Sequence, residues 1–365
     1  MTSNRDHLRR VLEGDMEGGT SSAPLRSPLM LSTGSTLLNL ACTDTPEGGF
    51  LAGRYHFVVG DSASGKTFIC MTCLAEATIN PAFADYRLIY DNVEDGCLLD
   101  IPALFNIALA ERIEPPAVKA DLPHYSETVE EFYYHVDDAL QDGRPFVYVL
   151  DSMDALTSEA SEAKFTQQKK AFRKSEDAAG SYGDGKAKEN SQRLRKVLGG
   201  LRKTGSILVI VAQTRDSLGF GWEKKTRSGG HALRFYATLE IWASIKRHIK
   251  RGVMGKDRTV GVDVAIRVRK NRVTGKTPTV VIPIHPSYGI DDLGSCVDYL
   301  VDEKWWKKSG QKIVAREFKI SLTRAALIRH IEKLRRGRLV RRIVGRCWKK
   351  IEKACAEQNR RPKYE

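Results

Sequence analysis

The residues with the clearest chemical use are Gly60, Asp61, Ser62, Ala63, Ser64, Gly65, Lys66 and Thr67, which together fit the pattern G-x-x-x-x-G-K-[ST]. Small residues let consecutive backbone N–H groups curl around phosphate oxygens at a helix N-terminus. Lys66 supplies positive charge for the outer phosphates of a nucleoside triphosphate, and the Thr67 hydroxyl can ligate Mg²⁺. A magnesium ion held by one hydroxyl needs a carboxylate close by, and the apolar run Phe146-Val-Tyr-Val-Leu-Asp151 ends in one. Asp151 is therefore expected to face the metal. Hydrolysis needs a base that orients or deprotonates the attacking water. The carboxylate-rich segment Asp91-Asn-Val-Glu94-Asp95 follows another apolar run, with Glu94 the first candidate and Asp91 the second. Gln213 closes the apolar run at 207–212, where a side-chain amide can sense the γ-phosphate.

Such side chains need a sheet to hold them. From about residue 31 to residue 289, short β-branched runs alternate with helical periods, the pattern of an α/β domain with a largely parallel twisted sheet. Strands are expected at 55–59, 88–90, 146–150, 207–212, 239–242, 262–268 and 279–284. The segment 60–67 then lies between a strand and a helix, the context that its pattern requires. Two polar, glycine-bearing stretches at 158–191 and 215–230 read as long loops, which in a compact domain tend to carry function. Residues 1–30 offer a short helix at 6–13 and then a Gly/Ser/Pro-rich lead, an N-terminal arm. From about residue 291 the chain reads as a small, basic, helical C-terminal domain, with Trp305 beside Trp306 and Ala325, Leu327, Ile328, Ile331 and Leu334 at helical spacing. The expected units are thus 1–30, 31–290 and 291–365.

The net charge of +14 over 365 residues conceals a division. Residues 1–150 hold 10 Lys+Arg and 22 Asp+Glu, residues 151–300 hold 28 and 16, and residues 301–365 hold 21 and 7. An acidic beginning followed by a strongly basic remainder points to a polyanionic partner for the later part. No apolar run reaches the roughly 18 residues of a membrane span, and no signal peptide is read at the N-terminus. A cytoplasmic protein is expected, in a host cell if the source is viral. The seven scattered cysteines include one C-x-x-C, Cys70 and Cys73, with no second pair to complete a zinc site, and read as reduced core thiols.

Taken in order, several segments resemble the RecA family of homologous recombinases. They are Ser32-Thr-Gly-Ser-Thr-Leu-Leu-Asn-Leu-Ala41, Gly53-Arg54, the phosphate loop, Leu150-Asp-Ser152, Ala212-Gln-Thr-Arg215, Gly229-Gly-His-Ala-Leu-Arg-Phe-Tyr236 and Val268-Arg-Lys-Asn-Arg272. The ordered likeness spans roughly residues 31–290. It implies a RecA-type P-loop ATPase core that binds ATP and Mg²⁺ between neighbouring subunits of a helical filament on single-stranded DNA. The phosphate loop, Glu94, Asp151 and Gln213 would lie on one subunit. Lys270 and Arg272 would reach the phosphates from the next, in the manner of an arginine finger.

The resemblance also assigns DNA contacts. The two polar stretches match the family's DNA loops, at about 176–190 and 215–230. In the second, Arg215, Phe220, Lys224, Lys225 and Arg227 are available to hold phosphates and stack bases, with Gly229 and Gly230 as a hinge. Arg195 resembles a further family DNA contact. The segment Asp91-Asn-Val-Glu94 has one residue more between its acids than the likeness implies, and the C-terminus is basic where bacterial relatives end acidic. The implied activity is a DNA-dependent ATPase that promotes homologous pairing and strand exchange in recombination and repair, with a C-terminal domain that recruits double-stranded DNA. Two rivals share parts of this pattern: a RecA-core DNA helicase or motor, which would close into a ring, and a mediator paralogue that exchanges no strands.

Overall fold

A strand without a polar face lies at the centre of the molecule. β1 (Tyr55–Gly60) is buried along its whole length, which requires paired neighbours on both edges and cover on both faces. The computed structural model describes residues 28–174, 185–216, 225–227 and 230–356. In it, β1 belongs to a ten-stranded sheet with β2 (Arg87–Asp91), β3 (Ile113–Glu114), β4 (Phe146–Leu150), β5 (Ile207–Asp216), β6 (Lys225–Arg227), β7 (Leu239–Val253), β8 (Lys256–Asn271), β9 (Thr279–His285) and β10 (Gly289–Ile290). The order is β10-β9-β8-β7-β1-β5-β4-β2-β3, with β6 paired to β5 outside this path. Every pair from β7 to β3 is parallel, and the β7-β8-β9-β10 edge is antiparallel. The expected largely parallel α/β sheet is present.

Alternation along β1 sends its side chains to two apolar layers. Val58 joins a layer with α1 (Thr36–Thr43) and α2 (Lys66–Ile79), while Tyr55, Phe57 and Val59 join one with α3 (Val129–Gln141). α3 starts at a side-chain cap: Thr128 Oγ1 accepts the Glu131 N–H at 3.1 Å, and Glu131 Oε2 accepts the Glu127 N–H at 3.0 Å. Cys42, Cys70, Cys73, Cys296 and Cys347 are buried and all seven cysteines are free thiols, as expected of reduced core residues. Among the described residues no helix is long and apolar enough to cross a membrane.

Three expectations within residues 158–271 change. Residues 159–174 form α4 (Glu159–Lys174) and α5 (Gly185–Thr204) begins soon after, so most of the described part of the first polar stretch is helix. Of the first expected DNA loop, about 176–190, residues 185–190 are helical and the rest lie outside the described residues. In the second stretch, β5 runs on to Asp216 and β6 pairs back on it, with Arg227 opposite Thr214. Finally, β7 and β8 continue well past 239–242 and 262–268 as a two-stranded ribbon. Its distal residues, Lys250 to Thr259, are exposed, so no apolar alternation marks them in the sequence.

The C-terminal segment is mixed rather than helical. α6 (Gly230–Tyr236) precedes β7; after β10 come α7 (Asp292–Asp302), a three-stranded antiparallel sheet at 307–309, 312–315 and 320–323, then α8 (Arg324–Lys333) and α9 (Gly337–Cys355). The paired indoles have a local reason, since Trp305 Nε1 and Trp306 Nε1 donate to the two oxygens of Glu317 at 2.8 and 2.6 Å. Trp306, Leu327, Ile331, Val340 and Ile343 belong to the same apolar layer as Val58.

His56 is the polar member of β1. Leu51 N–H donates to its Nε2 at 3.0 Å, and burial pushes its pKa from 6.5 down to about 4. The folded state thus resists protonation, so this contribution to stability is complete above pH ~6.5 and is lost as pH falls toward 4, costing up to about 3 kcal/mol. In urea unfolding between pH 7 and pH 4.5, wild type is expected to lose more stability than His56→Gln; equal losses would refute this account.

Candidate active site

The carboxyl ends of β1, β2, β4 and β5 meet on one rim because their registers are matched. Gly60 pairs with Gln213, and Asp91 pairs with Leu150, the residue before Asp151. Ligands of open parallel sheets bind outside such strand ends. Beyond the strands, Asp151 N–H donates to Asp91 O at 3.0 Å and Glu94 N–H to Asp151 O at 3.4 Å, which stitches the loops together.

The loop at 60–67 turns through left-handed conformations at Ala63 (φ 57°) and Gly65 (φ 83°), a geometry that exposes successive backbone N–H groups. A Cβ on Gly60 would lie 2.5 Å from Ser64 Oγ and 2.6 Å from Ala243 O, and one on Gly65 would strike the Ile284 side chain. Lys66 Nζ donates to Gly60 O at 3.0 Å and Asp61 O at 2.6 Å. Burial holds its pKa below that of an ordinary lysine, against the pull of Asp151, Glu94, Asp154 and Asp61.

Asp151 is the node of the rim. Its Oδ2 accepts from Thr67 Oγ1 at 2.7 Å and from Tyr90 OH at 3.0 Å. Burial raises its pKa, the two hydroxyls oppose this, and Glu94 adds to it. A hydroxyl and a carboxylate in contact, with Lys66 beside them, form a donor set suited to Mg²⁺ and phosphate. Glu94 Oε1 accepts from Gln213 Nε2 at 3.0 Å and from the Ser152 hydroxyl. Gln213 N–H in turn donates to Asp154 Oδ2 at 2.6 Å, and the Thr214 hydroxyl bonds Asp61. Tyr90 and Asp154 were not singled out in the sequence; Ser152 and Thr214 lie in two of the resemblance segments, 150–152 and 212–215, but had no role assigned there. Beside the loop lies a cavity of about 360 Å³ lined in part by Phe68, Thr259, Val262, Ile284 and Pro286.

Asp91 is corrected as an alternative base. It is fully buried, accepting from Ser126 N at 3.0 Å, Ser126 Oγ at 2.6 Å and Tyr148 OH at 2.7 Å. These bonds spend the carboxylate on packing, away from any water at the rim.

Lys270 and Arg272 lie elsewhere. Lys270 pairs with Glu240, which pairs with Phe57, so it stands about 10 Å short of Gly60 along the sheet and two strands across. Lys270 Nζ donates to Arg234 O at 2.6 Å and Phe235 O at 2.7 Å, and Arg272 Nη2 to Phe235 O at 2.8 Å. Both cations thus cap the C-terminal end of α6, where they complement the helix dipole. Among the other expected contacts, Arg195 is exposed on α5. Arg215 lies on β5, Lys225 and Arg227 on β6, and Gly230 opens α6. Phe220, Lys224 and Gly229 lie outside the described residues.

Comparison with known sequences agrees with this arrangement. Residues 141–291 match the RecA N-terminal domain. The chain is 28% identical over 286 residues to the protein RecA of Chlorobaculum tepidum, covering 77% of this chain and 72% of the relative. Both comparisons thus make the chain similar to the RecA family. A RecA of Cytophaga hutchinsonii is 27% identical over 299 residues, covering 78% of this chain and 74% of that one, and a plasmid RecA of Lactococcus lactis is 26% identical over 291 residues, covering 76% and 74%. The ribbon of β7 and β8 lies inside the matched region.

The two acids of the 91–94 segment should separate experimentally. Asp91→Ala leaves Tyr148 and Ser126 without their buried acceptor and is expected to cost roughly 1–3 kcal/mol. Glu94→Gln, on an exposed side chain, should change stability by less than about 0.5 kcal/mol. Denaturant titration of both variants measures this, and the reverse ranking would overturn the assignment.

Proposed function

We propose that the chain is an ATP-dependent recombinase, a DNA-dependent ATPase that forms helical filaments on single-stranded DNA and promotes homologous pairing and strand exchange. One observation carries the reading. The residues suited to phosphate and Mg²⁺ occupy one rim, while Lys270 and Arg272 lie two strands across and, for Lys270, about 10 Å back along the sheet, their side chains turned to the end of α6 rather than to their own phosphate loop. If these cations act on a triphosphate, it is one bound by another subunit, so the site is completed only by stacking.

On this reading, the backbone of 60–67 and Lys66 hold the triphosphate. Thr67 and Asp151 hold Mg²⁺, which when bound neutralises developing charge on the phosphates. The 360 Å³ cavity accepts the base and ribose. Glu94 takes the proton of the attacking water, positioned by Ser152 and Gln213. Gln213 begins the stretch that leads through β6 to α6, and α6 is capped by the two cations. A shift of Lys270 and Arg272 toward a neighbour's phosphates would uncap α6, so nucleotide and DNA contacts are coupled through one short element.

DNA would lie against the basic later part of the chain. Arg195 and the 215–230 stretch would contact the single strand. The ribbon adds exposed Lys246, Lys250, Arg251, Lys256 and Arg258, a two-stranded shape that fits a nucleic-acid groove. Exposed Lys307, Lys308 and Lys312 would help recruit the duplex. Because Trp306, Leu327 and Ile343 complete the common apolar layer, charge substitutions rather than truncation are the proper probe.

Strand exchange between matched and unmatched DNA, with and without ATP, tests the reading, supported by electron microscopy of the DNA complexes. Matched DNA with ATP should give joint molecules and helical filaments; closed rings that unwind duplex would favour a motor instead. Lys66→Ala should abolish ATP-dependent exchange. Lys270→Ala with Arg272→Ala should lower DNA-stimulated ATPase at least tenfold while the monomer stays folded, and an unchanged rate removes the shared site. Replacing Lys307, Lys308 and Lys312 with Gln should reduce the salt slope of duplex binding by about one unit per lost phosphate contact.

A further inference from the structure

On α3 and the hairpin that follows β3, a second group of ligating side chains is assembled. His124 ends a small hairpin at 117–124, and Glu131 and His135 follow on α3 four residues apart, on one helix face. One ligand atom from each lies within 4.8 Å of the others. His124 Nε2 and Glu131 Oε1 are already 2.6 Å apart.

His135 is held by a support of its own. The single hydroxyl proton of Ser126 is donated to Asp91 Oδ2 at 2.6 Å, so Ser126 Oγ, 2.9 Å from His135 Nδ1, accepts from that nitrogen. The proton of neutral His135 is thereby fixed on Nδ1, and Nε2 is the nitrogen left to bind a cation. Metal-binding histidines are oriented by this kind of outer hydrogen bond.

The contacts of Lys119 supply an independent indication. Its Nζ lies 2.5 Å from His124 Nε2 and 3.4 Å from Glu131 Oε1. An ammonium only donates, so it can bind Nε2 only when that nitrogen carries no proton. A bare Nε2 then meets the carboxylate oxygen lone pair to lone pair at 2.6 Å. Protonating Nε2 satisfies Glu131 but sets two donors against each other. No placement of one proton serves all three contacts, whereas a divalent cation bound by both Nε2 and Oε1 would satisfy those two atoms and displace the exposed Lys119 side chain to solvent.

We propose that His124, Glu131 and His135 form a binding site for a divalent transition-metal ion of the zinc class, with Ser126 and Asp91 as its positioning residues. Two imidazoles and a carboxylate match the preference of Zn²⁺ and leave a position for water, whereas Mg²⁺ favours all-oxygen ligands. The ion would pin the hairpin to α3. Through Ser126 and Asp91 it would also brace β2, the strand that leads to Glu94. The proposal is independent of the nucleotide reading.

Full-length, nucleotide-free protein titrated with Zn²⁺ in Mg²⁺ buffer, followed by calorimetry, provides the test. Wild type should bind one equivalent that Mg²⁺ does not displace. His124→Ala, at the half-buried end of an otherwise exposed hairpin, should lose that equivalent, as should His135→Gln. Ser126→Ala should weaken binding roughly 10- to 100-fold, and Lys119→Ala, which removes the competing cation, should tighten it. Co²⁺ in place of Zn²⁺ should show ligand-field bands without thiolate charge transfer. Absence of the equivalent in wild type, its persistence in His124→Ala with Glu131→Gln, or thiolate bands would each overturn the proposal.

Discussion

The burial of β1 between two parallel neighbours is the constraint on which the rest of the molecule depends. A strand with no polar face can be satisfied only in the middle of a sheet covered on both sides. Once there, its register with β5 and β7 is fixed by the alternation that divides Val58 from Phe57 and Val59 between two apolar layers. A slip of one residue would exchange the layers. The same register puts Gly60 beside Gln213, and the matching register of β2 and β4 brings Asp91 and Asp151 to the rim. The position of the chemistry is therefore a by-product of core packing, and Asp151, held by Thr67 and Tyr90, is where the layers and the rim meet.

The parts legible in the sequence are those that local pattern determines. The loop at 60–67, the apolar strands before it and before Asp151, and the parallel α/β character all rest on spacings within a few residues, and they are found as expected. Glu94 and Gln213 could be named but not joined, because their 3.0 Å contact spans 119 positions and depends on strand order. Asp91 could not be distinguished from Glu94 by type or proximity. Its removal from solvent comes from Ser126 and Tyr148, which approach from other elements. Tyr90 carried no signal and Ser152 appeared only as part of a resemblance segment, since a hydroxyl acquires its role from what the fold brings to it.

Where the sequence misled, polarity was the reason. Charge without apolar alternation reads as loop, yet α4 is a helix exposed along residues 159–170, and the distal ribbon of β7 and β8 is paired strand. Backbone hydrogen bonds sustain such elements without a buried face, particularly when one end is anchored in a sheet that has one. Both lie in the basic later part of the chain, where Lys and Arg outnumber Asp and Glu.

The C-terminal segment has a consequence that follows from its shared apolar layer. Trp306, Leu327, Ile331 and Val340 do not form a private core; they finish the one begun by Val58 and Leu74. The positively charged cap is thus welded to the sheet beneath it rather than hung from a tether. Evolution can repaint that cap one surface residue at a time, but it cannot trade the cap for another without rebuilding half of the interior, and the two must melt as one body.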